Sequence, residues 1–442
     1  MFTNAVVISV IVMVVLSLVR INVLFALIIA ALTAGVVSGM GIVESASIMI
    51  GGMGGQSETA LSYILLGIFA VMIGMSGITH ILVNKMLAVF SGRKLVLAFS
   101  IAIIACFSQN IVPVHIAFIP ILIPPLLVLF DKIKLDRRAV ASALTFGLKF
   151  PYITIPVGFG LIFQGIVVDE MNDNGIDIAL GQVTKAMMLP GAAMIVGLLF
   201  ALLITYRKDR APKEVEGDQK LTDIDMAESI TDVKKVSFNL GHVFTILAII
   251  AALIIQLVTE SLVLGALAGI IVMFATRVVE FYKGDKVVNE GVGMMGMIAF
   301  VMLIASGYAS VLKETGHIDE LVEATIGIVG DSHFLIGLFL LLVGLLITMG
   351  IGTSFGTIPI LAALYVPIFI ATGISPVAGA ALIGTAAALG DAGSPASDST
   401  LGPTSGLNAD GKHHHIWDTC VPTFLHYNIP LFLFGLLAVI IF

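Results

Sequence analysis

Ser354-Phe355-Gly356-Thr357-Ile358-Pro359 interrupts an apolar run spanning 333–372, and Ser108-Gln109-Asn110-Ile111-Val112-Pro113 interrupts another spanning 95–130. Each run is too long for a single passage through a bilayer, which takes about 20 helical residues. Broken backbone at that depth must be buried in protein or line a cavity. Each run therefore reads as a helical hairpin that enters and leaves on one side. The two interruptions lie 246 residues apart, and other features recur with them. Gly52, Gly54, Phe69 and Gly77 return as Gly291, Gly293, Tyr308 and Gly316 at a shift of 239, and Pro151 and Gly158 return as Pro395 and Gly402 at a shift of 244. A weak repeat with helix breakers at matching positions marks a secondary transporter and directs attention to the breaks as its binding site.

Composition supports that reading. The chain has 442 residues, 58% of them hydrophobic and only 12% charged, where a soluble domain carries about 25% charged residues. Apolar segments fall at 4–19, 23–43, 60–84, 95–130, 139–168, 183–206, 240–259, 261–281, 292–313, 333–372, 376–409 and 418–442. The expected fold is an all-α polytopic membrane protein built from two inverted-topology repeats. Each repeat has five transmembrane helices plus one re-entrant hairpin, with broken helices at the midplane. The first repeat covers 1–206, with its hairpin at 95–130 and its broken helix at 139–168. A hydrophilic linker at 207–238 carries seven basic and eight acidic residues and no apolar core, as expected of a solvated segment. The second repeat covers 239–442, with its hairpin at 333–372 and its broken helix at 376–409.

The positive-inside rule tests this topology. With both termini outside and each hairpin returning to its own side, all but three of the 22 basic residues fall on the cytoplasmic side. The exceptions are Lys185 and Lys313 outside and Lys149 within a membrane segment, and the external turn at Asp169, Glu170, Asp173 and Asp177 is acidic. Met1–Leu18 lacks a basic n-region and a cleavage site, so it reads as a first spanning helix. Cys106 and Cys420 form neither a disulfide framework nor a metal motif and read as apolar fillers.

The candidate site residues cluster at the breaks. At the hairpin tips these are Ser108, Gln109 and Asn110 in the first half, and Thr353, Ser354, Gly356 and Thr357 in the second. Helix ends that stop at mid-depth leave carbonyls that suit Na⁺ and amides that suit a carboxylate. Hydroxyls bonding back to their own helix are the bland alternative. The broken helices contribute Lys149 and Tyr152 in the first half, and Asp391, Ser394, Asp398 and Ser399 in the second. An intramembrane carboxylate costs about 2.5–3.5 kcal/mol on insertion scales, so each needs a partner or a purpose. Asp391 and Asp398 are candidate ligands for Na⁺, for a substrate ammonium or for a proton. Lys149 either neutralises one of them or grips a carboxylate, with snorkelling as its alternative. His115 is a candidate proton group or a satisfied interior histidine. Gln164 and Gln256 read as interhelical glue, and His413-His414-His415 as a polar turn.

The stretch Gly-Asp-Ala-Gly-Ser-Pro-Ala-Ser-Asp-Ser-Thr-Leu-Gly-Pro-Thr from Gly390 to Thr404, continuing to Ile416-Trp417-Asp418-Thr419-Cys420-Val421-Pro422, resembles the NhaC-type branch of the ion transporter superfamily. Within that branch it is most similar to the bacterial YuiF-like amino-acid permeases, usually labelled Na⁺/H⁺ antiporter family proteins. The resemblance covers essentially the whole chain. It implies paired hairpins, broken helices, a scaffold built from the remaining helices, a homodimer and residence in the bacterial cytoplasmic membrane. It also implies a cationic or small amino acid, such as histidine, as substrate. The first half departs from the aspartate-rich antiporters, since Ser108-Gln109-Asn110 and Phe150-Pro151-Tyr152 offer no carboxylate.

Three functions follow for comparison. The first is uptake of a small amino acid coupled to Na⁺ or H⁺ by alternating access. The second is Na⁺/H⁺ exchange at Asp391 and Asp398. Expected partners are the solute, Na⁺ or H⁺ as coupling ion without a further cofactor, and the lipid bilayer, with no nucleic acid. The third, an intramembrane enzyme, is disfavoured: Leu389-Gly390-Asp391 follows Ala388 where a Gly-x-Gly-Asp signature needs glycine, and no Tyr-Asp or His-Glu-x-x-His occurs.

Overall fold

A computed structural model describes residues 4–19, 21–78, 94–110, 119, 123–210, 238–259, 261–318, 320, 322–323, 327, 330, 332–395 and 397–442. Among the described residues there is helix and no strand. The first half contains α1 (Ala5–Leu18), α2 (Val23–Val37), α3 (Ile42–Gly52), α4 (Ser57–Met75), α5 (Lys94–Asn110), α6 (Leu127–Lys132), α7 (Arg137–Thr154), α8 (Phe159–Asp173) and α9 (Leu180–Phe200). The second contains α10 (Leu240–Thr259), α11 (Leu262–Ala275), α12 (Gly284–Glu314), α13 (His333–Ile351), α14 (Ser354–Thr372), α15 (Pro376–Ala388) and α16 (Asp398–Leu407), followed by α17 (His415–Ile441). Among the described residues, four helices are long and apolar enough to cross a membrane: Leu180–Thr205, Ser354–Thr372, Pro376–Leu407 and His415–Ile441. The number rises to six if two bent pairs count as single spans: Ile42–Gln56 with Ala60–Met75, bent by 53°, and Arg137–Thr154 with Phe159–Asp173, bent by 49°.

The second hairpin forms as expected. α13 ends at Ile351 and α14 begins at Ser354, so the turn between them, Gly352-Thr353, is two residues long. The arms run antiparallel: His333 Nε2 lies 2.8 Å from the Thr372 carbonyl, and the Tyr365 hydroxyl bonds to the Leu340 carbonyl. In the first hairpin α5 runs on through Ser108, Gln109 and Asn110, and the residues that follow, 111–118 with His115 among them, lie outside the described residues.

Both expected broken helices are broken. α7 stops before Pro156, which has no N–H to extend it, and α8 restarts from Gly158 at φ +59°. α15 gives way at Gly390, φ +77°, to a short turn at Asp391–Gly393 before α16. Positive φ at these two positions is a conformation that side-chain-bearing residues rarely adopt. Ser397 caps α16 by accepting from the Ser399 N–H.

The repeat is visible as geometry among the described residues, with a register of 239 at the contacts that follow. A Cβ on Gly307 would lie 2.4 Å from the Met49 carbonyl, one on Gly52 3.2 Å from the Gly307 Cα, and one on Gly291 2.6 Å from the Ile68 nitrogen. Residue 52 thus meets 307 while 68 meets 291, and a shift of 239 turns either contact into the other. Such reciprocal contacts are what a two-fold axis between the repeats produces. The same register relates the contact of Gly147 with Ala105 to that of Gly344 with Ala386. It also pairs Gly77 with Gly316, each at positive φ where α4 and α12 end. The shift of 244 is corrected accordingly, and the stretch that carries the shift of 246 runs into residues outside those described. Pro151 sits inside α7, and the residue that answers Pro395 in the second break is Pro156, again 239 residues earlier. Short apolar sequences offer chance matches a few residues off, and only contacts decide among them.

The close approaches carry a test. Gly291→Ala and Gly307→Ala place a methyl group against backbone, and overpacking of this kind costs about 1–3 kcal/mol. Both variants will melt lower in detergent. Gly54→Ala and Gly293→Ala, which meet nothing within 4 Å, will melt within a degree or two of the parent.

Helices α1–α4 pack with α10–α12, whereas α5 and α7–α9 pack with α13–α17. The main bridges between the bodies are α12 against α14, α1 against α13, and a hydrogen bond of 3.1 Å from Gln56 Nε2 to Glu170 Oε1. One end of the molecule gathers basic residues. There Arg137 pairs with Asp131 and Asp410, Arg138 with Asp136, Arg210 with Asp418 and Lys94 with Asp209. The Arg137 guanidinium holds the Asp410 carboxyl below its ordinary range, against the opposing effect of burial. The expected linker lies outside the described residues from 211 to 237.

Candidate functional site

α7 is buried along nearly its whole length, so Lys149 and Tyr152, in its last two turns before the first break, point into protein. Lys149 is 2% exposed, too little for snorkelling to water. It forms an ion pair with Asp391 in the second break, itself 4% exposed. Ser354, the first residue of α14, completes the contact between them. Its N–H is one of those a helix start leaves unpaired, and it donates to Asp391 Oδ2 at 2.9 Å. The Ser354 hydroxyl donates to the same oxygen, Lys149 Nζ lies 3.3 Å from Ser354 Oγ, and Tyr152 bonds to Ser354 Oγ at 2.9 Å. The Ser397 hydroxyl donates to Asp391 Oδ1.

Asp391 therefore receives a lysine, two serine hydroxyls and a helix-terminal amide. It caps α14 from another element, and Thr353, the residue at the capping position, makes no side-chain cap bond. A carboxylate at a helix start also meets the positive end of the dipole. A single side chain thus ties the tip of the second hairpin to both broken helices.

Beside this cluster lies a cleft lined by Tyr63, Lys149, Tyr152, Phe159, Thr353, Phe355, Asp391, Ser397, Asp398 and Ser399, among others. Asp398 is partly exposed to it and forms no hydrogen bond or ion pair among the described residues. The charges on the lining are Lys149, Asp391 and Asp398. Their formal charges sum to a single negative charge on the cleft. Asp391 has its donors already, while Asp398 has no hydrogen-bond or ion-pair partner among the described residues.

The other expected site residues divide. Ser399 donates to the Asp391 carbonyl at 3.1 Å and Ser394 to the Met349 carbonyl at 3.1 Å, fastening the break to itself and to α13. Thr357 bonds back to the Thr353 carbonyl, and Gly356 lies against Val301 of α12, so both serve packing. Gln109 is buried, whereas the side chains of Ser108 and Asn110 lie outside what the structure describes. Gln164 joins the Ile153 carbonyl at the first break to Thr184 of α9, as interhelical glue should. His413 bonds to Thr419 and His414 to the Ile416 N–H nearby, whereas His415 reaches Thr404 of α16 and the Pro395 carbonyl in the second break.

Two lining residues had no distinguishing signal. Ser397 sits in the polar run but looks no different from its neighbours. Tyr63 is a lone tyrosine in an apolar helix, far from either break in sequence. It is 1% exposed, and its hydroxyl has no hydrogen-bond partner among the described residues. A desolvated hydroxyl left unpaired costs about 1–3 kcal/mol.

Comparison with known proteins places these features in context. Residues 143–436 match the model of the Na⁺/H⁺ antiporter family, and residues 4–90 match a second Na⁺-H⁺ antiporter family model. An uncharacterized membrane protein of Vibrio parahaemolyticus is 50% identical over 450 residues, 99% of this chain and 100% of that one. YuiF of Bacillus subtilis, whose name proposes it as an amino acid transporter, is 46% identical over 453 residues, 99% of this chain and 100% of its own. Two solved structures share the fold at 14% identity. Neisseria gonorrhoeae MtrF, described as illuminating a class of antimetabolite efflux pumps, gives a TM-score of 0.60 over 90% of this chain and 84% of its own. The Alcanivorax borkumensis YdaH transporter gives 0.56 over 89% and 86%.

Proposed function

The chain belongs to the Na⁺/H⁺ antiporter family, and from that premise we propose that it is a secondary active transporter taking up a small amino acid coupled to Na⁺ or H⁺. The observation that carries the reading is the convergence of one hairpin tip and two helix breaks on a cleft with an unpaired carboxylate. Ion exchange alone needs a carboxylate, but not the row of hydroxyls and rings beside it. The relationship to YuiF supports an amino acid as the solute, with histidine a first candidate. The two-fold relation between repeats supports alternating access, because two similar halves can exchange conformations around a fixed site.

In this reading Asp398 holds the cationic group, and Asp391 latches the hairpin tip through Ser354 while neutralising Lys149. Release of that latch, by protonation of Asp391 or by a competing carboxylate at the start of α14, frees the tip to move. The end bearing Arg137, Arg138 and Lys94 faces the cytoplasm, both termini lie outside, and the membrane is the bacterial cytoplasmic membrane. Two copies assemble through the α1–α4 and α10–α12 body.

Liposome uptake tests the proposal. Purified chain under an inward Na⁺ gradient, or an inward proton gradient, will accumulate at least one of twenty labelled amino acids saturably. If none is taken up and Na⁺ instead drives proton release from the same vesicles, the protein is a Na⁺/H⁺ exchanger working at these aspartates.

A further inference from the structure

We infer that the space between Tyr63 and Asp398 is an ammonium pocket, which holds the amino end of the solute between the Asp398 carboxylate and an accepting Tyr63 hydroxyl. The inference deepens the transport reading and rests on it for the solute being an amino acid.

Charge gives the first reason. With Lys149 committed to Asp391, the cleft presents one net negative charge and so attracts a cation. The anionic end of a zwitterion finds no unpaired cation there, and the first amide of α14 is already taken by Asp391. Recognition therefore falls on the amino group.

The lining gives the second. Four aromatic rings, Tyr63, Tyr152, Phe159 and Phe355, border the same cleft. Phe355 is their hub, with centroids 5.5 Å from Tyr63, 4.9 Å from Tyr152 and 6.5 Å from Phe159. Rings beside a carboxylate suit an organic ammonium, which gains from the ring quadrupoles. A small metal ion is better served by a shell of oxygens.

Tyr63 gives the third, independent of both. Its ring is held at 5.7 Å from Phe159 and edge-on to Phe355, so the hydroxyl is fixed in place, and that hydroxyl is buried without a partner. It shares the lining of the cleft with Asp398. Buried polar groups are nearly always satisfied, and an ammonium beside Asp398 supplies the missing hydrogen bond. Tyr63 also belongs to α4, in the body opposite the broken helices, so a solute held here touches both bodies at once.

Thermal unfolding of the full chain in detergent, in NaCl and in KCl, tests the pocket with three probe sets: the twenty amino acids, their methyl esters and their N-acetyl forms. The expected result is that one or more amino acids and the matching esters raise Tm, while the matching N-acetyl forms do not. Tyr63→Phe, which keeps the ring, will fold like the parent and need about tenfold more ligand, the value of one hydrogen bond to a charge. Asp398→Asn will lose the shift. Stabilisation by an amino acid and its N-acetyl form but not its ester overturns the pocket and leaves the transport reading standing. Stabilisation by esters alone keeps the pocket and removes the free amino acid as substrate. An unchanged midpoint in Tyr63→Phe, a Tyr63-dependent shift produced by Na⁺ alone, or no shift with any of the sixty probes each overturns the inference.

Discussion

Asp391→Asn will be among the most destabilising single substitutions in this chain, and removing Lys149 as well will restore much of the loss. The pair is buried, at 2% and 4% exposure, and breaking a buried ion pair from one side costs about 3–5 kcal/mol because a charge is left without its partner. The two sides are unequal. Lys149→Met leaves the Asp391 carboxylate with the Ser354 amide, the Ser354 hydroxyl and the Ser397 hydroxyl, at the favourable end of a helix dipole. Asp391→Asn leaves the Lys149 ammonium without its ion-pair partner, with Ser354 Oγ at 3.3 Å, the face of Tyr152 with its centroid 5.6 Å away, and the longer-range attraction of Asp398. Asp391→Asn will therefore cost about the full 3–5 kcal/mol, and Lys149→Met will fall at or below the lower bound. The double variant will melt above Asp391→Asn, and neither it nor either single variant will transport. Melting curves of the four proteins in one detergent decide the matter. A double variant whose loss equals the sum of the two single losses would mean that the residues are not energetically coupled.

Asp398→Asn will behave in the opposite way: normal folding with no uptake. Asp398 forms no hydrogen bond or ion pair among the described residues, so its removal orphans nothing. Replacing an unpaired intramembrane carboxylate by a neutral amide relieves an insertion cost of about 2.5–3.5 kcal/mol at the bilayer centre, less where water reaches it. Tm will hold or rise. The cleft loses its net charge, however, and with it the attraction for a cation, so saturable uptake will fall by at least a hundredfold. An Asp398→Asn protein that is destabilised yet still transports would show that the carboxylate is structural and that the cation is held elsewhere. Together the two variants separate a latch from a binding group, although the two aspartates lie only seven residues apart.

Much of the architecture was legible without coordinates because it is written locally. Gly352 between two apolar arms, Pro156 ahead of Gly158, and Gly390 ahead of a polar run each break a helix where they stand, whatever packs around them. Lys149 stood out for a similar reason, as the one basic residue that no loop would accept. Roles were less legible. Ser354 and Thr357 are three residues apart with the same chemistry, yet one meets Asp391 and the other bonds back to its own helix.

What the sequence determined by itself is the class of molecule: a membrane-embedded helical chain that repeats, with its breaks in the apolar depth. Lipid exacts that pattern directly, since a bilayer admits long apolar helices and tolerates broken backbone only where protein encloses it. What tertiary structure alone decided is which distant groups meet. The common register of 239 emerged from reciprocal contacts of Gly291 with Ile68 and Gly307 with Met49. Lys149 chose Asp391 over Asp398, and Tyr63 reached the cleft from a helix with no polar mark of its own. Lys149 and Asp391 alone stand 242 positions apart. Such pairings depend on how helices cross, which no local periodicity encodes.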